Sequence, residues 1–108
     1  MSKGTHLGDL EELVLLSVLG LGEDAHGGRV REQLIENANR SVSISTVYVT
    51  LMRLEEKGYV HSWKGEPSAS RGGKARRFFG LQPAGIEAIE STRAVRDRMW
   101  AGVEARAR

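Results

Sequence analysis

The stretch from Ser45 to Val60, which is soon followed by a basic segment from Arg71 to Arg77, constrains the fold of this chain most strongly. Val47, Leu51 and Leu54 recur at the spacing of a helical stripe and predict a helix with one buried face. The opposite face carries small, hydroxylated and guanidinium side chains: Ser45, Thr46, Val49, Thr50 and Arg53. In a DNA major groove, arginine pairs with guanine, hydroxyls bond either type of base, and small apolar groups meet thymine methyls. These residues alone fit a DNA-recognition helix and the solvated face of an ordinary helix equally well.

Basic residues concentrate after this helix, although the whole chain is nearly neutral. Its 108 residues carry 16 Lys and Arg against 14 Asp and Glu, a net charge of +2. Between Lys64 and Arg77 the only acidic residue is Glu66, whereas the basic residues are Lys64, Arg71, Lys74, Arg76 and Arg77. Such a cluster is typical of a segment that follows the phosphate backbone of nucleic acid. A chain of this length has room for one domain and a C-terminal appendage.

Several classes of function lack their residues in this sequence. No cysteine is present, which removes disulfides, thiol catalysis and cysteine-ligated zinc. His6, His26 and His61 have no metal-ligand spacing, so we expect neither a metal nor a cofactor. No nucleophile elbow, phosphate-binding loop or pair of catalytic carboxylates can be assembled, so we expect no enzyme. Because a signal peptide and a run of about 20 apolar residues are both missing, a soluble cytoplasmic protein is expected.

Two further helices are predicted before the basic segment. The first begins with Asp9 as N-cap and Glu12 three residues on, and ends at Gly20 and Gly22. One apolar face of it comprises Leu10, Leu13, Val14 and Val18, and a second face comprises Leu15, Leu16 and Leu19. A domain this small covers both faces poorly, so the second face predicts a partner subunit. The second helix follows His26-Gly27-Gly28 and ends near Asn39, with a core face of Val30, Leu34 and Ile35.

The third helix, which Ser43 caps and Gly58 closes, leads into alternating residues. Tyr59, His61 and Trp63 are predicted on one side of a strand and Val60, Ser62 and Lys64 on the other. A second strand from Ala75 to Leu81 has Arg77, Phe79 and Leu81 on one face. A two-stranded hairpin must lie on the helices, and we expect Trp63 and the Phe78–Phe79 pair to pack there rather than stack on bases. Three helices and a hairpin give a mainly α fold with a small β-hairpin, the winged helix-turn-helix.

A last helix is predicted after Pro83, whose missing N–H suits a first helical turn. Spacings of three and four place Ile89, Thr92, Met99 and Val103 on a seam that Arg96 interrupts. This seam could pair with a copy of itself or with the spare face of the first helix. We therefore expect a DNA-binding domain over residues 8–82 and a dimerisation helix over residues 83–108. The predicted dimer interface comprises Leu15, Leu16, Leu19, Ile89, Thr92, Met99 and Val103.

The motifs together resemble the PadR-like transcriptional regulators, in order and spacing from about Gly8 to Gly85. The most specific parts are Thr46-Val-Tyr48, Arg53-Leu-Glu55 and Pro83-Ala-Gly85. The resemblance implies a winged helix-turn-helix that dimerises through its single C-terminal helix, as in short-form members. It also implies a repressor that acts near its own promoter or on a neighbouring gene. The chain departs from the family at Val49, where the family often has proline, and this difference affects base preference rather than the fold.

The expected partner is double-stranded operator DNA, bound as an inverted repeat with half-site centres about 34 Å apart. The predicted recognition residues are Ser43, Ser45, Thr46, Tyr48, Val49, Thr50 and Arg53, and the wing residues are Lys64, Arg71, Lys74, Arg76 and Arg77. Tyr48 has two interpretations, packing with its hydroxyl toward phosphate or contact with a base. Trp100, with Arg96 and Met99, is either interface core or the contact for a flat aromatic effector. An alternative function is a winged-helix dimer that binds a protein partner without specific DNA binding.

Overall fold

The computed structural model describes residues 7–67, 72 and 75–107. It is mainly helical with one antiparallel hairpin, which confirms the predicted fold class. The elements are α1 (Asp9–Leu21), a short 3-10 turn (Gly22–Asp24), α2 (Gly27–Ala38), α3 (Ile44–Glu56), β1 (Val60–Pro67), β2 (Ala75–Leu81) and α4 (Pro83–Ala107).

The start of α1 differs from the prediction by one residue. Gly8, and not Asp9, is the N-cap, and its N–H donates to Oε1 of Glu11 at 2.9 Å. Glu11, and not Glu12, is therefore the acidic residue that turns back toward the helix start. Glu12 lies on another side of α1, where it pairs with Arg96. The helix ends as expected at Gly22, which has φ of 59°.

The core lies where α1, α2 and α3 meet the hairpin. Its fully buried side chains are Val14, Leu15, Val18, Val30, Leu34, Val47, Leu51, Leu54, Val60 and Phe79. Two predictions about this core are wrong. Ile35 is 41% exposed, because α2 turns only Val30 and Leu34 inward, whereas Leu15, predicted at a partner interface, is fully buried in its own protomer. The spare face of α1 is therefore narrower than predicted and consists of Leu16 and Leu19.

The hairpin pairs Val60 with Leu81 and Lys64 with Arg77, with an irregularity between Lys64 and Pro67. The predicted bounds of β2 are confirmed. Backbone bonds hold the hairpin on the helices, since the N–H of Phe79 donates to the carbonyl of Ala25 at 2.8 Å. The N–H of Tyr59 donates to the carbonyl of Leu54 at 3.0 Å, which places the start of the hairpin beside the end of α3.

The start of α4 is held against the end of α3 by a close backbone approach. A Cβ at Gly85 would lie 2.2 Å from the carbonyl oxygen of Tyr59, so only glycine fits there. The N–H of Gln82 donates to the same carbonyl at 2.9 Å. Glycine in the Pro83-Ala-Gly85 motif is thus explained by packing between α4 and the turn before β1.

The two parts of α4 have different surroundings. Ala88 and Ile89 are buried against the rest of the protomer, whereas every residue from Arg93 to Ala107 is exposed. The radius of gyration is 16.0 Å, compared with about 13 Å for a compact domain of this length. Across the described ranges, no helix is both long and apolar enough to span a membrane.

Candidate nucleic-acid interface

The N-terminus of α3 is fixed by a side-chain cap. Ser43 Oγ accepts a hydrogen bond from the N–H of Thr46 at 3.1 Å, which confirms the predicted cap. The Ser43 hydroxyl also donates to Oγ1 of Thr46 at 3.0 Å. These two bonds satisfy an otherwise unpaired helix N–H and orient both hydroxyls at the start of the exposed face.

The exposed face of α3 contains most of the predicted recognition residues. Ser45, Thr46, Val49 and Arg53 are exposed, and Val49 is 55% accessible. The structure corrects the prediction for Thr50, which is buried and donates its hydroxyl to the carbonyl of Thr46 at 2.8 Å. Thr50 turns inward because it shares the stripe of Val47 and Leu54.

Tyr48 lies at the edge of the exposed face and packs on the start of α2. A Cβ at Gly27 would lie 2.5 Å from Cζ and 2.7 Å from the hydroxyl oxygen of Tyr48. The ring therefore occupies the space that a larger residue at position 27 would need. This contact agrees with the packing interpretation of Tyr48, and the ring remains 37% exposed.

The predicted wing residues lie on two faces of the hairpin. Lys64 and Arg77 are directly paired across the strands and share a face with Ser62 and Phe79. Arg76 alternates to the other face with Phe78. Arg71 and Lys74 lie outside the described residues. The predicted basic cluster is thus divided, and its Lys64–Arg77 pair is on the side of the hairpin that turns toward α3.

A chain of hydrogen bonds connects this basic pair to α3. Arg77 Nη1 donates to Oγ of Ser62 at 2.8 Å, and the Ser62 hydroxyl donates to Oε2 of Glu55 at 2.7 Å. A cleft of about 460 Å³ lies between the two elements, lined by Tyr48, Met52, Glu55, Ser62, Arg77 and Phe79. The exposed face of α3 and the base of the hairpin therefore border one continuous surface.

The other face of the hairpin is aromatic. Trp63 stacks between His61 and Phe78, with ring centroids 5.3 Å and 6.2 Å away. Gly80 permits this arrangement, because a Cβ there would lie 2.9 Å from Cε1 of His61. Phe79 packs into the helical core as predicted, whereas the 41% exposed Trp63 packs within the hairpin instead.

Two titratable groups with shifted pKa values hold the helices and hairpin together. Burial raises the pKa of Glu11, but hydrogen bonds from the N–H of Gly8 and from Lys57 outweigh it, and the pKa falls below 4.5. Burial lowers the pKa of His26, and the charge of Arg76 lowers it further. His26 stands edge-on to Phe78 with centroids 5.6 Å apart, so the neutral imidazole is part of the hairpin's packing.

The predicted interface and ligand residues on α1 and α4 also divide into two sets. Ile89 is buried against its own protomer, and Thr92 is half-buried with its hydroxyl donating to the carbonyl of Ala88 at 2.9 Å. The burial of Ile89 corrects the prediction that it faces a partner, because the first half of α4 packs on α1. The exposed members of the predicted interface are Leu16, Leu19, Met99 and Val103, and the predicted ligand residues Arg96 and Trp100 are exposed as well.

A groove of about 570 Å³ runs between α1 and α4, along α4 from Ile86 to Trp100. Leu16, Leu19 and Trp100 line it, and Trp100 is 64% exposed. Arg96 also lines the groove and donates to Oε1 of Glu12 at 2.9 Å. Met99 projects outside this lining beside Val103, so the predicted ligand residues do not converge on one point.

Sequence reasoning missed Met52, Glu55, Ser62 and Gly27 as parts of this surface. Met52 is detectable, because it follows Ser45 and Val49 on the exposed face at helical spacing. The bridge from Glu55 through Ser62 is not, since it depends on how the hairpin sits on α3. Among the described residues, no group of His, Asp and Glu side chains has the geometry of a metal site.

Comparison with known proteins identifies the family. The model of the transcriptional regulator PadR-like family matches residues 15–91, most of the chain. The protein belongs to the PadR-like family. Its members are transcriptional regulators, in agreement with the expectation that the chain is not an enzyme. No curated protein sequence matches it.

Solved structures of transcriptional regulators share the fold. The PadR-like transcription factor from Bacteroides fragilis has a TM-score of 0.74 at 21% identity, over 89% of this chain and 87% of that one. A Streptococcus transcriptional regulator has a TM-score of 0.70 at 25% identity, over 92% of both chains. Bacillus subtilis PadR, solved in complex with operator DNA, has a TM-score of 0.65 at 18% identity, over 76% of this chain and 45% of that one.

Proposed function

We propose that this PadR-like regulator binds operator DNA as a homodimer and represses a neighbouring gene or its own operon. The observation that carries the proposal is the continuous surface formed by α3 and the base of the hairpin. Arg53 lies on its helical part, and the Lys64–Arg77 pair lies on its hairpin part. The similarity to Bacillus subtilis PadR, which was solved with operator DNA, supports the same use of this surface.

The two parts of the surface have different roles in this proposal. Side chains on α3 enter the major groove and read base edges, with Arg53 directed at guanine. Lys64 and Arg77 neutralise phosphates and fix the register of the protein on the duplex. Arg71, Lys74 and Arg76 are assigned to further phosphate contacts, and this assignment rests on the sequence pattern alone. Glu55 and Ser62 position Arg77, because their hydrogen bonds restrict where its guanidinium can point.

The test is the salt dependence of binding to a duplex selected by the protein from a random pool. The Lys64→Ala/Arg77→Ala double variant should weaken all sequences alike and flatten the slope of log K against log salt by about 0.9 for each phosphate that is no longer neutralised. Arg53→Ala should instead relax sequence preference at a cost of about 1–3 kcal/mol. Arg93→Ala/Arg98→Ala, which removes the same charge from α4 at positions off the Val95–Met99–Val103 stripe, is the matched control. An unchanged slope in the first variant would remove the wing from the proposal.

The dimer forms, in this proposal, through the exposed half of α4. Val95, Met99 and Val103 are spaced four residues apart and project from a segment that does not pack on the core. Leu16 and Leu19 supply a second exposed apolar surface across the groove. A two-fold axis would let these apolar surfaces of one copy be covered by the same apolar surfaces of the other copy. Residues 8–82 then bind DNA and residues 83–108 hold the two copies together.

Repression follows if the dimer occupies a promoter and blocks polymerase. A reporter gene placed behind the selected duplex should fall in expression when the protein is produced. A rise in expression would contradict repression and indicate an activator instead. The Arg53→Ala variant is the control, because it should leave the reporter nearly unaffected while the fold is kept.

A flat aromatic effector is proposed to relieve repression at the groove beside Trp100. The groove volume of about 570 Å³ falls in the range of small-molecule sites. A planar dye could stack on the indole while the Arg96 guanidinium contacts its π-face. Quenching of Trp100 in a Trp63→Phe background, together with loss of DNA affinity, is expected. Quenching without loss of DNA affinity, or no quenching across a diverse panel, would leave Trp100 as interface core.

A further inference from the structure

The centre of the exposed face of α3 is apolar. The buried stripe of the helix is Val47, Thr50, Leu51 and Leu54, and the helical turn of 100° per residue places Ser45, Val49 and Met52 opposite it. Val49 and Met52 are 55% and 61% exposed. Ser45 and Glu56, the polar residues on the same line, lie at the two ends of the helix, and Thr46 and Arg53 lie at its flank, so the apolar pair occupies the middle of the face.

This pattern identifies what the face can recognise on a base pair. In the major groove the only apolar group on a base edge is the C5-methyl of thymine. An aliphatic side chain gains nothing from the hydrogen-bonding edges of guanine, cytosine or adenine, since it leaves them unpaired. We propose that Val49 and Met52 read thymine methyl groups, so that the operator half-site carries thymines at the centre of its contact with α3. The inference rests on the proposed function, because it requires α3 in the major groove.

The geometry sets the spacing of these thymines. Val49 and Met52 are three residues apart on one face, a rise of about 4.5 Å along the helix. Successive bases of one strand are separated by about 3.4 Å. The two side chains therefore reach methyl groups on adjacent or next-nearest base pairs. Tyr48 does not compete for this position, because its ring is held on Gly27 at the edge of the face.

The experiment removes the methyl group without changing any hydrogen bond. A duplex selected from a random pool is resynthesised with each thymine replaced in turn by deoxyuridine, and its affinity for the full-length protein is measured. Replacement at a contacted thymine should weaken binding about fourfold, which is about 0.8 kcal/mol per buried methyl converted at 1.4 kcal/mol per tenfold. Replacement in both half-sites should weaken binding about 15-fold. Thymines outside the half-sites should give no change.

Variants assign each methyl to a side chain. Val49→Ala should bind the thymine duplex more weakly and lose its response to deoxyuridine at one position, and Met52→Ala should do the same at the neighbouring position. Both residues are exposed, so the melting temperatures of the variants should stay near that of the parent chain. Ile35→Ala, an exposed aliphatic residue on α2, is the matched control and should retain the whole deoxyuridine response.

The outcomes separate this inference from the function on which it rests. Tight, sequence-specific binding that deoxyuridine leaves unchanged at every position would overturn the methyl readout and leave the DNA-binding proposal intact. Failure to recover any preferred sequence from the pool would overturn the DNA-binding proposal itself. A change in oligomeric state in Val49→Asp would show that the apolar face contacts protein, which also overturns the readout.

Discussion

The winged-helix core and the second half of α4 differ in how far their apolar side chains are buried. In the core, Val14, Leu34, Val47 and Phe79 are fully buried by elements of one chain. In the second half of α4, every described residue is exposed, including Met99 at 68% and Trp100 at 64%. The core is therefore stabilised by contacts within its own chain. The second half of α4 is helical, but no surface of the described chain covers it.

The difference has a physical consequence for assembly. A helix of about 12–15 residues is only marginally stable in water without packing against other elements. The exposed half of α4 has this length, and only its Trp100, among its apolar side chains, lines the same groove as Leu16 and Leu19 of α1. In the proposed dimer, the second copy supplies the surface that covers this half of α4. The stability of the core should therefore not depend on protein concentration. The stability of the exposed half of α4 should rise with protein concentration, because it depends on the dimer.

The largest effect should come from removing a buried ring of the core. Phe79→Ala deletes a side chain with no exposed surface, and should destabilise the fold by about 3–5 kcal/mol. Urea unfolding at two protein concentrations measures the loss, which should be similar at both. Ile35→Ala, partly exposed on α2, should cost less than about 1 kcal/mol. Equal losses in the two variants would mean that the core is elsewhere.

Charges on the exposed stripe of α4 should separate the two copies. Met99→Glu/Val103→Glu places like charges across the proposed interface and should weaken the dimer by about 2–4 kcal/mol. Sedimentation should then show the mass of one chain at concentrations where the parent shows two. Arg98→Glu, about 100° round the same helix from Met99, is the control and should stay dimeric. A dimer in the double variant would place the interface elsewhere.

The pair between Glu11 and Lys57 ties α1 to the end of α3. Lys57→Met leaves the buried carboxylate without its partner and should cost about 1–3 kcal/mol, with Lys57 partly screened by solvent. The lowered pKa of Glu11 stabilises the parent above its ordinary value of 4.5, and this contribution is lost as pH falls through the lower folded value. The deficit of the variant should therefore shrink below pH 4.5. A constant deficit down to pH 3 would exclude ionisation as its cause.

The smallest effect concerns His26. Its pKa is lowered in the fold, so the unfolded chain binds more protons and stability falls as pH drops below the ordinary value of 6.5. The loss cannot exceed about 1.4 kcal/mol per pH unit. Urea midpoints at pH 8 and pH 5.5 should differ in the parent and converge in His26→Gln. His61→Gln, exposed on β1, should keep the parent's pH dependence; if it alone abolished that dependence, His26 would not be its source.

Residues whose positions follow from local periodicity were predictable from the sequence. The buried stripe of α3, the cap at Ser43 and the bounds of β2 all follow from spacing and turn chemistry. The cap at Gly8 was not, because Glu11 and Glu12 are both acidic, and the pairing of Glu11 with Lys57 joins α1 to a distant part of the chain. Leu15 and Ile35 were misplaced for a related reason. The packing angles between helices decide which edge of an apolar face is covered. These angles cannot be predicted from a single sequence.

The candidate site shows the same division. Exposed residues of α3 could be located from helical phase, apart from Thr50, which lies on the border and bonds to the backbone instead. The separation of Arg76 from Arg77 follows from strand alternation once the register is known. The connection from Glu55 through Ser62 to Arg77 joins residues on α3, β1 and β2, so only the tertiary structure reveals it.

In the proposed assembly, two copies of this chain, held together by α4, present their α3 surfaces to one operator. Native mass spectrometry of the protein mixed with a selected duplex of about three helical turns measures this stoichiometry. The expected species is one duplex with two 11.9 kDa chains, with no abundant complex of one chain. Met99→Glu/Val103→Glu should greatly reduce this species. A stable complex of one chain per duplex, or no complex with any selected sequence, would exclude the assembly.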